Sequence, residues 1–391
     1  MSDDPIQSLY VHVPFCAHKC EYCAFYSKLP TNDLVGRYVD ALIREMEMIA
    51  EDCAAQTIFF GGGTPSLLSL KQWRKILGAM KRLGLDGADE WTVECNPATV
   101  STDKAMLLRD AGVNRISMGV QSLDESLLDR LGRIHSRKQV FKSYEILRSA
   151  GFENINLDLM FGIPGQDHDI WERTLTEAIN LSPEHLSSYE VIYEEDTPLF
   201  EQLKAGQFEV DEDLVETMYE RLVELAESNG YRQYEVANFA SHNGNLGEDD
   251  NPDKACQHNI NYWRGASFHG LGPSATGYVR GKRSKNWANT QLYCDLIEQG
   301  KRAFDFNEEL SPLARAGETA AFGLRMNRGW RFDEFDAATG FDLRHEWAPE
   351  MEELCDRGLG LQTANGFRLS TRGHRLADAA GSSFLRIDPN P

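Results

Sequence analysis

The sequence predicts an α/β protein built on a parallel sheet with crossover helices. Apolar runs at 9–13, 57–60, 91–95, 115–118, 154–159 and 185–191 alternate with amphipathic stretches near 33–50, 69–82, 101–110, 124–131, 137–149, 168–180 and 211–228. In the latter, apolar residues recur every three to four positions, the period of a helix with one buried face. Ser69, Ser101, Asp124 and Asp211 stand where helix N-caps belong. Six βα units in a row mean a parallel sheet, closed into a barrel or doubly wound. A parallel barrel keeps its chemistry at the carboxyl ends of its strands, and the informative residues fall there.

Taken in order, the first run ends at Pro14 and opens into Cys16-Ala17-His18-Lys19-Cys20-Glu21-Tyr22-Cys23. Thiols seldom crowd this way by chance, and soft ligands after a strand read as a zinc or iron–sulfur site. Zinc wants a fourth ligand, for which His12 and His18 are candidates. A cubane on three thiolates leaves one iron open to a small molecule. The second run passes into Gly61-Gly62-Gly63-Thr64-Pro65, the third closes on Glu94-Cys95-Asn96-Pro97, and the fourth leads to Gly119-Val120-Gln121-Ser122. Asp158 ends the fifth, before Phe161-Gly162-Ile163-Pro164-Gly165. Gly and Pro punctuate every βα loop, but that explains poorly why Glu94, Gln121 and Asp158 stand at matching ends. One shared site explains it.

Downstream, 241–256 is polar and rich in Gly, Asp and Asn, and reads as a mobile surface insertion. Cys256-Gln257-His258-Asn259-Ile260-Asn261-Tyr262-Trp263 follows. Beyond about 300 comes a compact tail with helices near 312–326 and 345–357. A hairpin over 360–369 is expected to turn on Asn365-Gly366, and Ser370 caps a further helix. Helices followed by a two-stranded wing resemble a winged-helix domain.

The chain of 391 residues has room for one large domain and a smaller appendage. Its formal charge of −21 argues against a general nucleic-acid partner and leaves room for weak membrane association only. No apolar run is long enough for a membrane span, and the amino terminus lacks a signal-peptide pattern. A cytoplasmic protein with reduced thiols is expected. Cys53, Cys95, Cys256, Cys294 and Cys355 have no metal-type spacing, and most of them read as buried small side chains.

The Cys-x3-Cys-x2-Cys spacing with Tyr22 resembles the radical S-adenosylmethionine (SAM) superfamily. With Phe60-Gly61-Gly62-Gly63-Thr64-Pro65-Ser66-Leu67-Leu68, Met118-Gly119-Val120-Gln121-Ser122 and His258-Asn259-Ile260-Asn261-Tyr262-Trp263, nearly the whole chain is similar to the oxygen-independent coproporphyrinogen III oxidase-like family, most of all its haem chaperone branch. The resemblance implies a partial (β/α)6 barrel over 1–240, an insertion and joining region over 241–300, and a small C-terminal helical, winged-helix-like domain over 301–391. It implies a [4Fe-4S] cluster on Cys16, Cys20 and Cys23 with SAM on the open iron. Tyr22 would lie beside the adenine, and Gly62, Gly63 and Thr64 would meet the methionine end. Glu94, Gln121, Arg133 and Asp158 match positions that hold SAM polar groups, with Tyr10 and Ile192 as companions. For Arg133 a surface charge is an equal alternative. The His-Asn-x-x-Tyr-Trp word is associated with haem and implies His258 as its ligand, although a lone His beside two aromatics is more commonly a core residue.

The coproporphyrinogen-oxidising enzymes resemble Cys-x3-Cys-x2-Cys-x-Cys, whereas Phe25 stands at that last position here. The expectation is therefore haem binding and delivery, with an acceptor protein and an electron donor as partners. Oxidative decarboxylation of coproporphyrinogen III is the alternative, and whether the chain is an enzyme stays open.

Overall fold

The computed structural model describes residues 4–242 and 251–386. Strands β1 (Ile6–Val13), β2 (Cys53–Gly62), β3 (Glu90–Cys95), β4 (Arg115–Gln121), β5 (Ile155–Phe161) and β6 (His185–Glu190) lie side by side in chain order, every neighbouring pair parallel. Helices cross between them at Asn32–Ile49, Leu70–Leu83, Thr102–Asp110, Arg137–Ser149 and His168–Asn180. Beyond β6, β7 (Tyr231–Gln233) and β8 (Asn238–Ser241) add antiparallel strands, and β9 (His269–Leu271) pairs parallel with β1 at the far edge. The expected insertion at 241–255 falls partly outside the described residues, which omit 243–250.

One face of the sheet is apolar because alternate strand residues point the same way. Leu9, Val11, Val13, Ile58, Phe60, Trp91, Val93, Ile116, Met118, Leu157 and Leu159 pack under the helices with Trp73 and Trp171. Each such side chain contributes about 1.5–3 kcal/mol of burial. The opposite face, lining the barrel, is polar. The apolar runs therefore stop short of the true strands; β2 extends back to Cys53 and β4 on to Gln121.

Helix starts follow the caps. Ser69 forms a capping box with Gln72, and Asp124 and Asp211 accept from backbone N–H groups of the first turn. Ser101 occupies the N-cap position with no side-chain cap bond.

Two smaller sheets complete the chain. One is β10 (Thr276–Val279), β11 (Lys282–Asn286) and β12 (Phe304–Glu309); the other is β13 (Trp330–Arg331), β14 (Gly360–Gln362) and β15 (Gly366–Leu369). The second packs with helices Pro312–Gly323 and Ala348–Asp356 around a separate core containing Trp330, Phe335 and Trp347. The β14–β15 hairpin forms as expected, but neither Asn365 nor Gly366 takes positive φ. The Thr363 hydroxyl closes the turn instead, accepting from the N–H of Asn365 and of Gly366.

Candidate cofactor site

A cavity of about 600 Å³ opens at the carboxyl ends of β1–β6. Cys16, Cys20 and Cys23 stand at its mouth, half-buried and free of disulfides. Their loop is held from several sides. Cys16 N–H donates to Lys28 O at 3.1 Å, Glu21 N–H to Leu131 O at 3.0 Å, and Leu199 N–H to Glu21 O at 2.9 Å. From β2, Gly63 N–H reaches Val13 O at 2.9 Å and Thr64 N–H reaches Phe15 O at 2.7 Å. A Cβ on Gly63 would stand 2.6 Å from Val13 O and 2.7 Å from Phe15 O, so only glycine lets the two loops meet.

Two donors point at the sulfurs. Thr64 Oγ1 donates to Cys16 Sγ at 3.5 Å, and Arg133 Nη1 to Cys20 Sγ at 3.4 Å. Arg133 Nη2 also donates to Gly119 O at 2.6 Å, while its Nε is buried without a partner. The guanidinium thus turns into the cavity, and the surface-charge alternative falls. Gln121 holds φ 68°, unusual for a side-chain-bearing residue, beside a register shift between β4 and β5. Its Oε1 accepts from Tyr189 Oη at 3.2 Å.

On the cavity wall Glu94 and Asp158 are open only to the cavity. Burial, then the neighbouring Asp158 charge, pushes the Glu94 carboxyl up to about 8. Burial raises Asp158 as well, against hydrogen bonds that favour its charged form. Ser117 Oγ donates to Asp158 Oδ2 at 3.0 Å, and Asn156 Nδ2 to Asp158 Oδ1 at 2.7 Å.

The residues present suit a cubane with an open corner. The thiols are unpaired and donors approach two of them. Of the histidines considered as a fourth ligand, His12 has both ring nitrogens committed, Nδ1 to Tyr10 Oη at 3.1 Å and Nε2 to Tyr26 O at 3.0 Å. Among the described residues no group of three or more His, Cys, Asp or Glu converges on a single metal ion.

A family model for the Radical SAM superfamily matches residues 10–178. A Bacillus subtilis protein named Heme chaperone HemW is 34% identical over 97% of this chain and 99% of its own. The Escherichia coli protein of the same name is 38% identical over 97% and 98%. The chain belongs to the radical SAM superfamily, in the family of proteins named haem chaperone HemW. A zebrafish relative named Radical S-adenosyl methionine domain-containing protein 1, mitochondrial, is 31% identical over 95% of this chain and 83% of its own. The radical SAM fold is equally plain. The structure of coproporphyrinogen III oxidase from Escherichia coli superposes with a TM-score of 0.82 over 98% of this chain and 91% of that one, at 19% identity.

Most of the residues expected at the radical SAM site line this one cavity: Tyr22, Gly62, Gly63, Thr64, Glu94, Gln121, Arg133, Asp158 and Ile192, with the three cysteines. Tyr10 and His258 do not. Tyr10 points into the barrel on the same face of β1 as Ser8 and His12, hydrogen-bonded to His12 and near Phe59, without lining the cavity. His258 sits at the opposite end of the barrel, 1% exposed and stacked on Phe59. Its Nδ1 pairs with Thr57 Oγ1 at 2.9 Å and its Nε2 with Tyr262 Oη at 2.8 Å. Burial lowers its pKa to about 3.

Sequence reasoning missed the polar floor. Arg115, Ser117, Asn156, Ser187, Asn238 and Asn259 also line the cavity. Arg115 is 2% exposed, with Nη1 donating to Thr92 Oγ1 at 3.4 Å and Nε unpartnered. Strict alternation from Gly119 back through Ser117 to Arg115, and from Asp158 to Asn156, carries the signal that would have found three of them.

Proposed function

We propose that this chain is a radical SAM haem chaperone. It holds a [4Fe-4S] cluster through Cys16, Cys20 and Cys23, takes SAM into the cavity, binds haem and delivers it to an acceptor protein. The observation that supports this best is identity of 34% and 38%, over nearly full length, with proteins named Heme chaperone HemW. Phe25, in place of a further thiol, agrees with it.

The cluster and SAM, when bound, supply one-electron chemistry from an electron donor that this reading requires. The chain's own residues bind and orient. Thr64 and Arg133 stabilise thiolate charge at Cys16 and Cys20. Arg133, with its unpaired Nε, suits the SAM carboxylate. Glu94 and Asp158 accept from nucleoside hydroxyl or ammonium groups, and Gln121 fixes a polar edge. Gly62 and Gly63 let the methionine end approach backbone, with Tyr22 beside the adenine and Tyr10 and Ile192 as companions. Reduced, open thiols suit the cytoplasm. Among the described residues no helix is long and apolar enough to cross a membrane.

Anaerobic reconstitution followed by parallel assays tests the reading. We expect iron bound by the three cysteines, stoichiometric haem uptake, and no conversion of coproporphyrinogen III. Porphyrinogen turnover without haem uptake would assign the chain to the decarboxylating enzymes instead.

A further inference from the structure

Phe25, Leu29 and Ile192 are the most exposed large hydrophobic side chains among the described residues, at 70%, 67% and 65%. They are not scattered. Phe25 and Ile192 line the mouth of the cluster cavity, together with Ile134, itself 48% exposed. Leu29 follows Lys28, whose backbone pairs with Pro14 and Cys16 at the root of the same loop. Large apolar side chains gathered around one opening mark a binding face, all the more on a chain of net charge −21. Backbone bonds from Glu21 N–H to Leu131 O and from Leu199 N–H to Glu21 O anchor the loop that carries this rim.

The same rim carries Lys19 and His18, both exposed and both at the cavity mouth. His18 is the one histidine among the cavity-lining residues. A flat macrocycle with apolar faces, anionic propionates and a metal that takes ring nitrogen matches these features one for one. His258 offers none of them, being enclosed with both nitrogens bonded.

We propose that the rim of the cluster cavity is the haem site of this chain. The macrocycle lies on Phe25, Ile134 and Ile192, a propionate meets Lys19, and His18 supplies an axial nitrogen. This rests on the haem-chaperone reading and gives it a location. Phe25, which replaces a thiol of the decarboxylating enzymes, thereby becomes part of the haem platform.

Haem titration by absorbance, on reconstituted protein with its iron counted, tests the assignment. The double variant Phe25→Asp, Ile134→Asp is expected to keep its iron and to raise the haem Kd about tenfold or more, since apolar contact is lost and charge faces the ring. His18→Ala should still take up haem but with a changed Soret band, and His258→Phe should bind as the unsubstituted chain does. An unchanged Kd in the double variant overturns the site, and an unchanged spectrum in His18→Ala overturns the axial ligand. Haem bound normally but no longer passed on would assign the rim to the acceptor protein and likewise overturn the proposal. Should the double variant lose iron, Phe25→Ser decides by the same titration. No haem uptake by the unsubstituted chain would end the chaperone reading itself, and the rim with it.

Discussion

Glu94 shows how the barrel interior tunes a single group. The unfolded chain releases its proton near 4.5 and the folded chain near about 8. Between those values the folded state holds more protons, so Glu94 costs stability progressively as pH rises through the window, and the full cost is present above it. Urea midpoints of the cluster-free chain and of Glu94→Gln should therefore draw apart from about 4.5 to 8, with the variant more stable at the alkaline end. A variant tracking the parent at every pH would show that Glu94 titrates normally. Gly63→Ala meets backbone oxygens at 2.6 and 2.7 Å that cannot step aside. It should cost about 1–3 kcal/mol and reduce iron retained after reconstitution, as read by denaturation and metal analysis. Replacing any one of Cys16, Cys20 and Cys23 by Ala should abolish the brown, iron-loaded form; a full iron complement in such a variant would exclude the three-thiolate cluster. These residues were legible because rare side chains at strand ends carry chemistry on their face. Arg115 was not, because an Arg inside a strand reads as solvated until the sheet closes over it.

The seven-residue helix Gln257–Trp263 is the element whose meaning changes most. The Glu90 carboxylate accepts from Gln257 N–H and His258 N–H, both at 2.9 Å, where the helix N-terminus favours negative charge. Asn261 Nδ2 donates to Ser8 Oγ at 2.9 Å. The helix thus plugs the amino-terminal end of the barrel, opposite the cluster loop. His258→Phe loses both ring hydrogen bonds and should lower stability by about 1–3 kcal/mol in chemical denaturation while leaving haem stoichiometry intact. Loss of haem with unaltered stability would return the ligand role to His258. Its motif was visible in the sequence, but its partners Thr57 and Glu90 lie far away along the chain. A plugging His and a ligand His look alike until those partners are placed.

Across the whole molecule, one hydrogen-bond chain links the plug to the cofactor cavity. Cys256 N–H donates to Tyr234 Oη at 3.1 Å, and Tyr234 meets His185 Nε2 at 2.8 Å. His185 Nδ1 meets Asn156 Oδ1 at 2.7 Å, and Asn156 in turn donates to Asp158. Since Asn156 Oδ1 only accepts, His185 carries its proton on Nδ1, consistent with burial lowering its pKa. The C-terminal unit seats on the same segment: Asn327 N–H donates to Tyr234 O at 2.9 Å and Val236 N–H to Arg325 O at 3.2 Å. Arg264 joins the plug helix to that unit, with Nη1 donating to Gly329 O at 2.8 Å and the guanidinium 4.4 Å from the Trp330 ring centroid. Arg264→Ala should cost about 1.5–3 kcal/mol, seen as a lower thermal midpoint, because a charged hydrogen bond and a stacking contact go together. An unchanged midpoint would mean the two parts are held by other contacts. By itself the sequence determined the strand and helix order, the thiol trio and the loops that face it, because periodicity, caps and rare ligating residues are local properties. The tertiary structure alone decided which face of each strand lines the cavity, that Arg133 turns inward, that His258 closes the far end, and that Phe25 stands uncovered at the mouth. Those outcomes depend on partners brought together from opposite ends of the chain, and no local pattern encodes which side chains a closing sheet will enclose.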